Sequence, residues 1–269
     1  MKLLFSGSLL LLLGFLACSS DERPLVTADQ LLRRGIELLE EESFAQAEVQ
    51  FAQAIRIYTE LNQLSRLAEA QGYLARVYLM ESQFSQALES VDLALEYCRR
   101  DNYFRGEAHH SLLRGDILAE FGDPAGALEP YRSSRALSAA FGDKPAVARV
   151  DLRLGRCLLR LGRYEEALAA LESALAFYRS VDEDAGVCEA LAGVGEVYAA
   201  QQRGGEALNS LLQALDLVDR REQPDVDARI HLAAGEVHRM LGDRNAALRY
   251  FRDGANRLRA SRTGKRYEV

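Results

Sequence analysis

No tryptophan and only five prolines occur in the 269 residues. Proline removes a backbone donor and breaks helices, so its scarcity, together with abundant Ala, Leu, Glu and Arg, favours helix throughout. Cysteine is sparse as well. Cys18, Cys98, Cys157 and Cys188 show no C-x-x-C spacing, which excludes a zinc motif and a disulfide framework and leaves buried free thiols as the plain reading. Of the four histidines, His109 and His110 are adjacent and point different ways on a helix, while His231 and His238 stand seven apart rather than at the i, i+4 spacing of a metalloprotease pair. There is no G-x-S-x-G, no phosphate-cradling glycine loop and no paired Cys/His signature. Without convergent groups no catalysis, cofactor or metal is expected. The net charge of −7 argues against a nucleic-acid binder and against broad adhesion to anionic lipid. What is present is 48% apolar residues, enough for a core and a prior for an all-α chain of one large or two small domains.

The first seventeen residues read as a targeting segment. Lys2 supplies the positive start, Leu3 to Leu16 an apolar run too short for a full span, and Phe15-Leu16-Ala17-Cys18 a small-residue cleavage site ending in cysteine. The segment resembles the lipobox of bacterial lipoproteins, with Phe15 where that motif usually has Leu. The resemblance implies lipidation of Cys18, a tether over 18–27 and an anchor in the bacterial cell envelope, at the outer membrane facing the periplasm since Ser19 is not the Asp that marks inner-membrane retention in enteric bacteria. Acyl chains contribute about 0.8 kcal/mol per buried methylene, so two or more hold an otherwise soluble domain on a membrane. An ordinary secretory signal and an uncleaved anchor are the alternatives. Loss of the leader takes Lys2 with it and makes the net charge −8.

From Ala28 onward the chain repeats. Ala47, Ala87, Ala127, Ala167, Ala207 and Ala247 stand 40 apart, an agreement with odds of about one in a hundred thousand at this alanine content. Twelve residues before each stand Gly35, Ala75, Gly115, Gly155, Gly195 and Gly235, and seven after each Ala54, Ala94, Ser134, Ala174, Ala214 and Gly254. Those small columns are where helix backbones must approach closely. Phe51, Val91, Tyr131, Leu171, Leu211 and Phe251, with Leu38, Tyr78, Leu118, Leu158, Tyr198 and His238, are the fillers between them. The clearest unit runs from Gly155 to Leu175: two amphipathic helices broken at Gly162-Arg163-Tyr164.

This succession of Gly, a bulky residue, Ala, Leu or an aromatic, then Ala resembles the tetratricopeptide repeat over about 28–262, nearly all of the chain beyond the leader. It implies a right-handed α-solenoid of about six helix-turn-helix repeats, at 28–62, 63–102, 103–142, 143–182, 183–222 and 223–262, followed by a basic tail at 263–269. Two departures stand out. The period is 40 rather than 34, and the proline that usually closes a repeat is missing at Thr59, Arg99, Ala139, Arg179, Asp219 and Arg259. The extra residues are expected to lengthen the helices and the turn between repeats. Gly122, Gly162 and Gly242 can supply the left-handed helix stop within repeats, with Glu42, Ser82 and Gln202 elsewhere. Asp123-Pro124 reads as a helix start; Pro130 falls inside a helix, as either a kink or a tolerated early proline.

In tetratricopeptide proteins the first helices of successive repeats line a concave groove that holds a peptide or a partner's helix. Helical projection puts three columns there: Ile36, Arg76, Asp116, Arg156, Glu196 and Glu236; then Glu40, Met80, Glu120, Arg160, Ala200 and Met240; then Asp29, Glu69, His109, Arg149, Glu189 and Arg229. Arg76, Arg149, Arg156 and Arg160 concentrate positive charge mid-groove, where guanidinium groups can grip an acidic stretch or a C-terminal carboxylate of a partner protein. With Glu196, Arg229 and Glu236 they form the candidate partner-binding groove; pairing with neighbouring glutamates as a solvated face is the alternative. Two functional classes follow: a lipid-anchored scaffold in envelope assembly, or an accessory subunit for a transporter's solute-binding protein or regulator of a cell-wall enzyme. A cleft between repeats that takes a ligand is a third. The last helix, with Leu248, Phe251, Ala255 and Leu258 and no helix after it, leaves self-association open.

Overall fold

In a computed structural model of the chain, the backbone is described for residues 7–218 and 224–267 and side chains for 23–218 and 224–259. Among the described residues all regular structure is helical. Twelve helices run α1 (Gly7–Glu40), α2 (Phe44–Glu60), α3 (Leu64–Met80), α4 (Phe84–Arg100), α5 (Phe104–Phe121), α6 (Pro124–Ala140), α7 (Lys144–Arg160), α8 (Tyr164–Ser180), α9 (Asp184–Ala200), α10 (Gly204–Leu217), α11 (Pro224–Met240) and α12 (Arg244–Tyr267). α1 continues through the segment read as a tether, and α12 through most of the one read as a tail. The Cys18 side chain lies outside the described residues. No helix is long and apolar enough to cross a membrane, among the described residues.

From α3 onward every helix begins 20 residues after the one before, so the 40-residue period contains a 20-residue one. The reason is one turn that recurs from α1 to α10 and again between α11 and α12. In the first, Glu42 takes φ 55°, the Ser43 N–H donates to the Leu38 carbonyl at 2.8 Å and the Glu42 N–H to the Leu39 carbonyl at 3.2 Å, a Schellman stop. Ser43 then caps the next helix, its carbonyl accepting from the Ala47 N–H at 3.0 Å. Asn62, Ser82, Asn102, Gly122, Gly142, Gly162, Asp182, Gln202 and Gly242 repeat the positive φ. The expected longer turn between repeats is not found from α1 to α10, whereas α10 stops at Leu217 with Val218 extended and α11 begins only at Pro224. In the recurring turn two or three residues serve both within and between repeats, and the extra length goes into helices of mostly 17 residues. Asp123, Asp143 and Asp243 add side-chain caps, accepting from Gly126, Ala146 and Ala246 at 2.8 to 3.0 Å. α6 runs through Pro130, which is buried.

The chain forms two compact units, α1–α5 up to Phe121 and α6–α12 from Gly122. Each is built the same way: a helix packs on its chain neighbours, and alternate helices also touch, α1 on α3 on α5 in the first unit and α7 on α9 on α11 in the second. The first core gathers Leu32, Leu38, Phe51, Tyr58, Leu67 and Val77. In the second, Val150, Leu158, Leu171, Val197, Leu211, Ile230 and Val237 are sealed. All six repeat alanines are buried, and the glycine column faces the filler column sixteen residues on. A Cβ on Gly35 would sit 2.5 Å from the Phe51 ring, one on Gly155 2.6 Å from Leu171 Cγ, one on Gly195 2.6 Å from Leu211 Cγ and one on Gly235 2.7 Å from the Phe251 ring. Where the column holds Ala75, the corresponding filler is the smaller Val91, and both sit in one cluster.

A polar brace crosses three helices of the second unit. Asp151 on α7 is 1% exposed and accepts from Arg135 Nε of α6 at 2.5 Å and from Ser173 Oγ of α8 at 2.8 Å. Removing the cation leaves a sealed carboxylate with only a hydroxyl for a partner. Arg135→Ala is expected to lower the unfolding free energy by about 3 kcal/mol in urea denaturation, and a loss under about 1 kcal/mol would contradict the brace.

Candidate functional site

The first helices of the second unit, α7, α9 and α11, carry Arg153 and Arg156, Glu189 and Glu196, and Arg229, and these five close on one another. Glu189 stands 3.2 Å from Arg153 and 3.5 Å from Arg156. Arg229 Nε lies 3.0 Å from Glu196 Oε1, in ion-pair range, yet the contact is not aligned as a hydrogen bond: that oxygen, Arg229 Nε and the terminal Nη2 are all buried without a hydrogen-bond partner. Three guanidinium groups against two carboxylates leave one positive charge in surplus. Burial pushes the Glu196 carboxyl above the usual carboxylate range, opposed by Arg229 and Arg156. Burial also pulls the Arg156 guanidinium below its ordinary value, with the Arg229 charge adding to the effect. A carboxylate entering beside Arg229 would find its Nε and Nη2 already desolvated and without hydrogen-bond partners.

The sequence-expected groove residues divide. Arg156, Glu196 and Arg229 come together as above. Arg149 and Arg160 are exposed on α7. Glu236 is engaged on its own helix by Arg239, which donates from Nε at 2.9 Å and holds that carboxyl below the usual range. Arg76 lies in the first unit, its guanidinium 5.7 Å from the centroid of the Tyr73 ring. Arg153 was missed, although it stands 40 and 80 residues after Leu113 and Tyr73 in a column of its own.

In the first unit, His110 on α5 is 3% exposed and lines a cleft between α1, α3 and α5. Its Nδ1 has no hydrogen-bond partner, and burial, helped by His109, pushes its imidazole from 6.5 down to about 3. The folded state therefore holds fewer protons than the unfolded one between those values, so stability is full above pH 6.5 and falls as the pH drops toward 3. At about 1.4 kcal/mol per unit, the loss reaches roughly 3 kcal/mol by about pH 4. In pH-dependent urea melts His110→Phe is expected to remove most of that slope, and an unchanged slope would refute it.

His238 needs no role beyond packing: it stacks on Tyr250 with centroids 5.1 Å apart. Cys98, Cys157 and Cys188 are buried and not in disulfides, and burial pushes the Cys98 thiol up to about 12 and the Cys188 thiol to about 11, which makes both unreactive. Among the described residues no group of three or more His, Cys, Asp or Glu could hold a metal ion.

A tetratricopeptide repeat family model matches residues 105–180, from the first turn of α5 to the end of α8. No curated protein matches the chain. Among solved structures, the chain is similar to the apo form of RapI, at 15% identity over 88% of this chain and 99% of that one with a TM-score of 0.70. A signal-transduction ATPase with a tetratricopeptide repeat sensor, from Pyrococcus horikoshii, aligns over 86% of this chain and 36% of that one at 16% identity, with a TM-score of 0.71. A Rap protein complexed with Competence and Sporulation Factor aligns over 87% of this chain and 70% of that one at 16% identity, with a TM-score of 0.64. At these identities the likeness is one of fold, and it is the fold of paired helices that the repeat spacing implied.

Proposed function

We propose that this chain is a non-catalytic, lipid-anchored scaffold of the bacterial cell envelope that holds an acidic segment or C-terminal carboxylate of a partner protein on the face made by α7, α9 and α11. The observation that carries the reading is the surplus of arginine there, with Arg229 Nε and Nη2 buried and without hydrogen-bond partners beside Glu196. Structural ion pairs normally arrive with their hydrogen bonds complete, and a sealed donor left over is worth satisfying from outside. The structure of a Rap protein with Competence and Sporulation Factor is a precedent, in a similar fold, for holding a partner. The anchor and the envelope location rest on the leader and on Cys18.

Two comparisons test this. Capture from a membrane extract is expected to lose its partner when Arg149, Arg156 and Arg160 are all changed to Glu, and unchanged recovery would sink the groove. Expressed in bacteria fed an alkyne-tagged palmitate, the chain is expected to take up label that Cys18→Ser abolishes. Absence of label from the unaltered chain would sink the anchor and leave the groove standing.

A further inference from the structure

Between residues 28 and 121 the chain carries nine arginines and sixteen acidic residues. Four of those arginines, Arg33, Arg66, Arg76 and Arg105, line the cleft of the first unit, and Glu69 is the one acidic side chain that does. The chain is acidic as a whole and acidic in this stretch, so the cleft gathers charge against the background. Glu69 is engaged by Arg66 at 3.0 Å, and Arg66 also reaches Asp29 at 3.7 Å. Arg76 rests over the Tyr73 ring, and Arg33 Nε donates to the Asp29 carbonyl at 3.3 Å. The paired carboxylate thus leaves a net positive field in a space walled by Leu32, Ile36, Tyr73 and Tyr103.

The inner end of the cleft is built with little tolerance. A Cβ on Gly72 would lie 2.2 Å from His110 Cε1 and 2.6 Å from its Nδ1, so only glycine on α3 gives the imidazole its seat. The ring that occupies that seat is 3% exposed and has a nitrogen without a hydrogen-bond partner. A polar ring kept in an apolar interior without a partner costs stability, and an ordinary core position would be filled by Leu or Phe. The cleft measures about 340 Å³, at the low end for small-molecule sites and too small for an extended segment of chain.

We propose that this cleft binds a small organic anion: a carboxylate or phosphate held by Arg33, Arg76 and Arg105, with an apolar or aromatic body between Tyr73 and Tyr103 against His110. The site lies in the first unit, apart from the α7, α9 and α11 cluster, so it stands or falls independently of the partner-binding reading. Calorimetric titration of the full chain with phenyl phosphate, phenylacetate and inorganic phosphate tests it. One of the two aromatic anions is expected to bind saturably and at least tenfold more tightly than inorganic phosphate, and which one does so identifies the head group. Arg33 and Arg76 are exposed, so the double variant Arg33→Ala, Arg76→Ala should keep its helical circular dichroism and lose at least tenfold in that affinity. Saturable binding of neither aromatic anion, an equal affinity in the folded double variant, or displacement of the bound anion by an acidic peptide would overturn the proposal.

Discussion

Replacing Leu171 by alanine is expected to lower the unfolding free energy by about 3 to 4 kcal/mol, followed by helical circular dichroism since the chain has no tryptophan. Leu171 on α8 is fully buried and fills the space that two glycines vacate: a Cβ on Gly155 of α7 would lie 2.6 Å from its Cγ, and one on Gly193 of α9 2.8 Å from its Cδ2. Three helices therefore close on one side chain. Gly155→Ala alone should cost less, because about 1 kcal/mol of helix propensity offsets an overpacking penalty of about 1 to 3. Put together, the two changes should cost less than their sum by about 1 to 2 kcal/mol, since the new methyl enters the cavity that Leu171 leaves. Strict additivity would show that the glycine column is not there to admit the filler.

The Arg229–Glu196 pair on α11 and α9 is expected to matter to binding, and to stability only when one partner is removed without the other. Arg229→Met alone should cost about 3 kcal/mol, because it strands the Glu196 carboxylate beside one remaining cation. It should also change the pH profile. A carboxyl whose folded-state pKa is raised holds its proton in the folded state after the unfolded chain has released it, so its stability is present in acid and lost as the pH rises through the folded value. The loss in the single variant should accordingly shrink as the pH falls and the Glu196 carboxyl takes up its proton. Adding Glu196→Met removes the stranded charge, and the apolar pair should return to within about 1 kcal/mol of the original. That doubly altered chain, folded but without the Arg229 donors, separates the groove's role in binding from any role in folding.

Much of the repeat was legible before the structure. The small columns at 35 and 47 and their successors are set by how near two helix axes must come, and that constraint acts on side-chain size, which a sequence displays directly. The 20-residue rhythm was not legible, for a physical reason. The turn residue at every twentieth position from 42 to 202, and again at 242, is variously Glu, Asn, Ser, Gly, Asp or Gln, because a left-handed backbone only disfavours branched side chains and imposes no one identity. Nor does any residue mark the division at Phe121, since the repeat pattern runs through it unbroken. In the candidate site, projection alone brought Arg156, Glu196 and Arg229 to one face. It could not tell that Glu189 would be shared by Arg153 and Arg156, which depends on side-chain rotamers, whereas the capture of Glu236 by Arg239 was readable from their i, i+3 spacing.

The measurement that bears most directly on the groove is fluorescence anisotropy of a labelled acidic peptide with a free C-terminal carboxylate, titrated with the full chain and with the Glu196→Met, Arg229→Met variant. Saturable binding by the unaltered chain, weakened at least tenfold both in the folded variant and on raising the salt from about 50 to 200 mM, is the predicted result. Equal affinity in the variant, or no saturable binding by the unaltered chain, would contradict it.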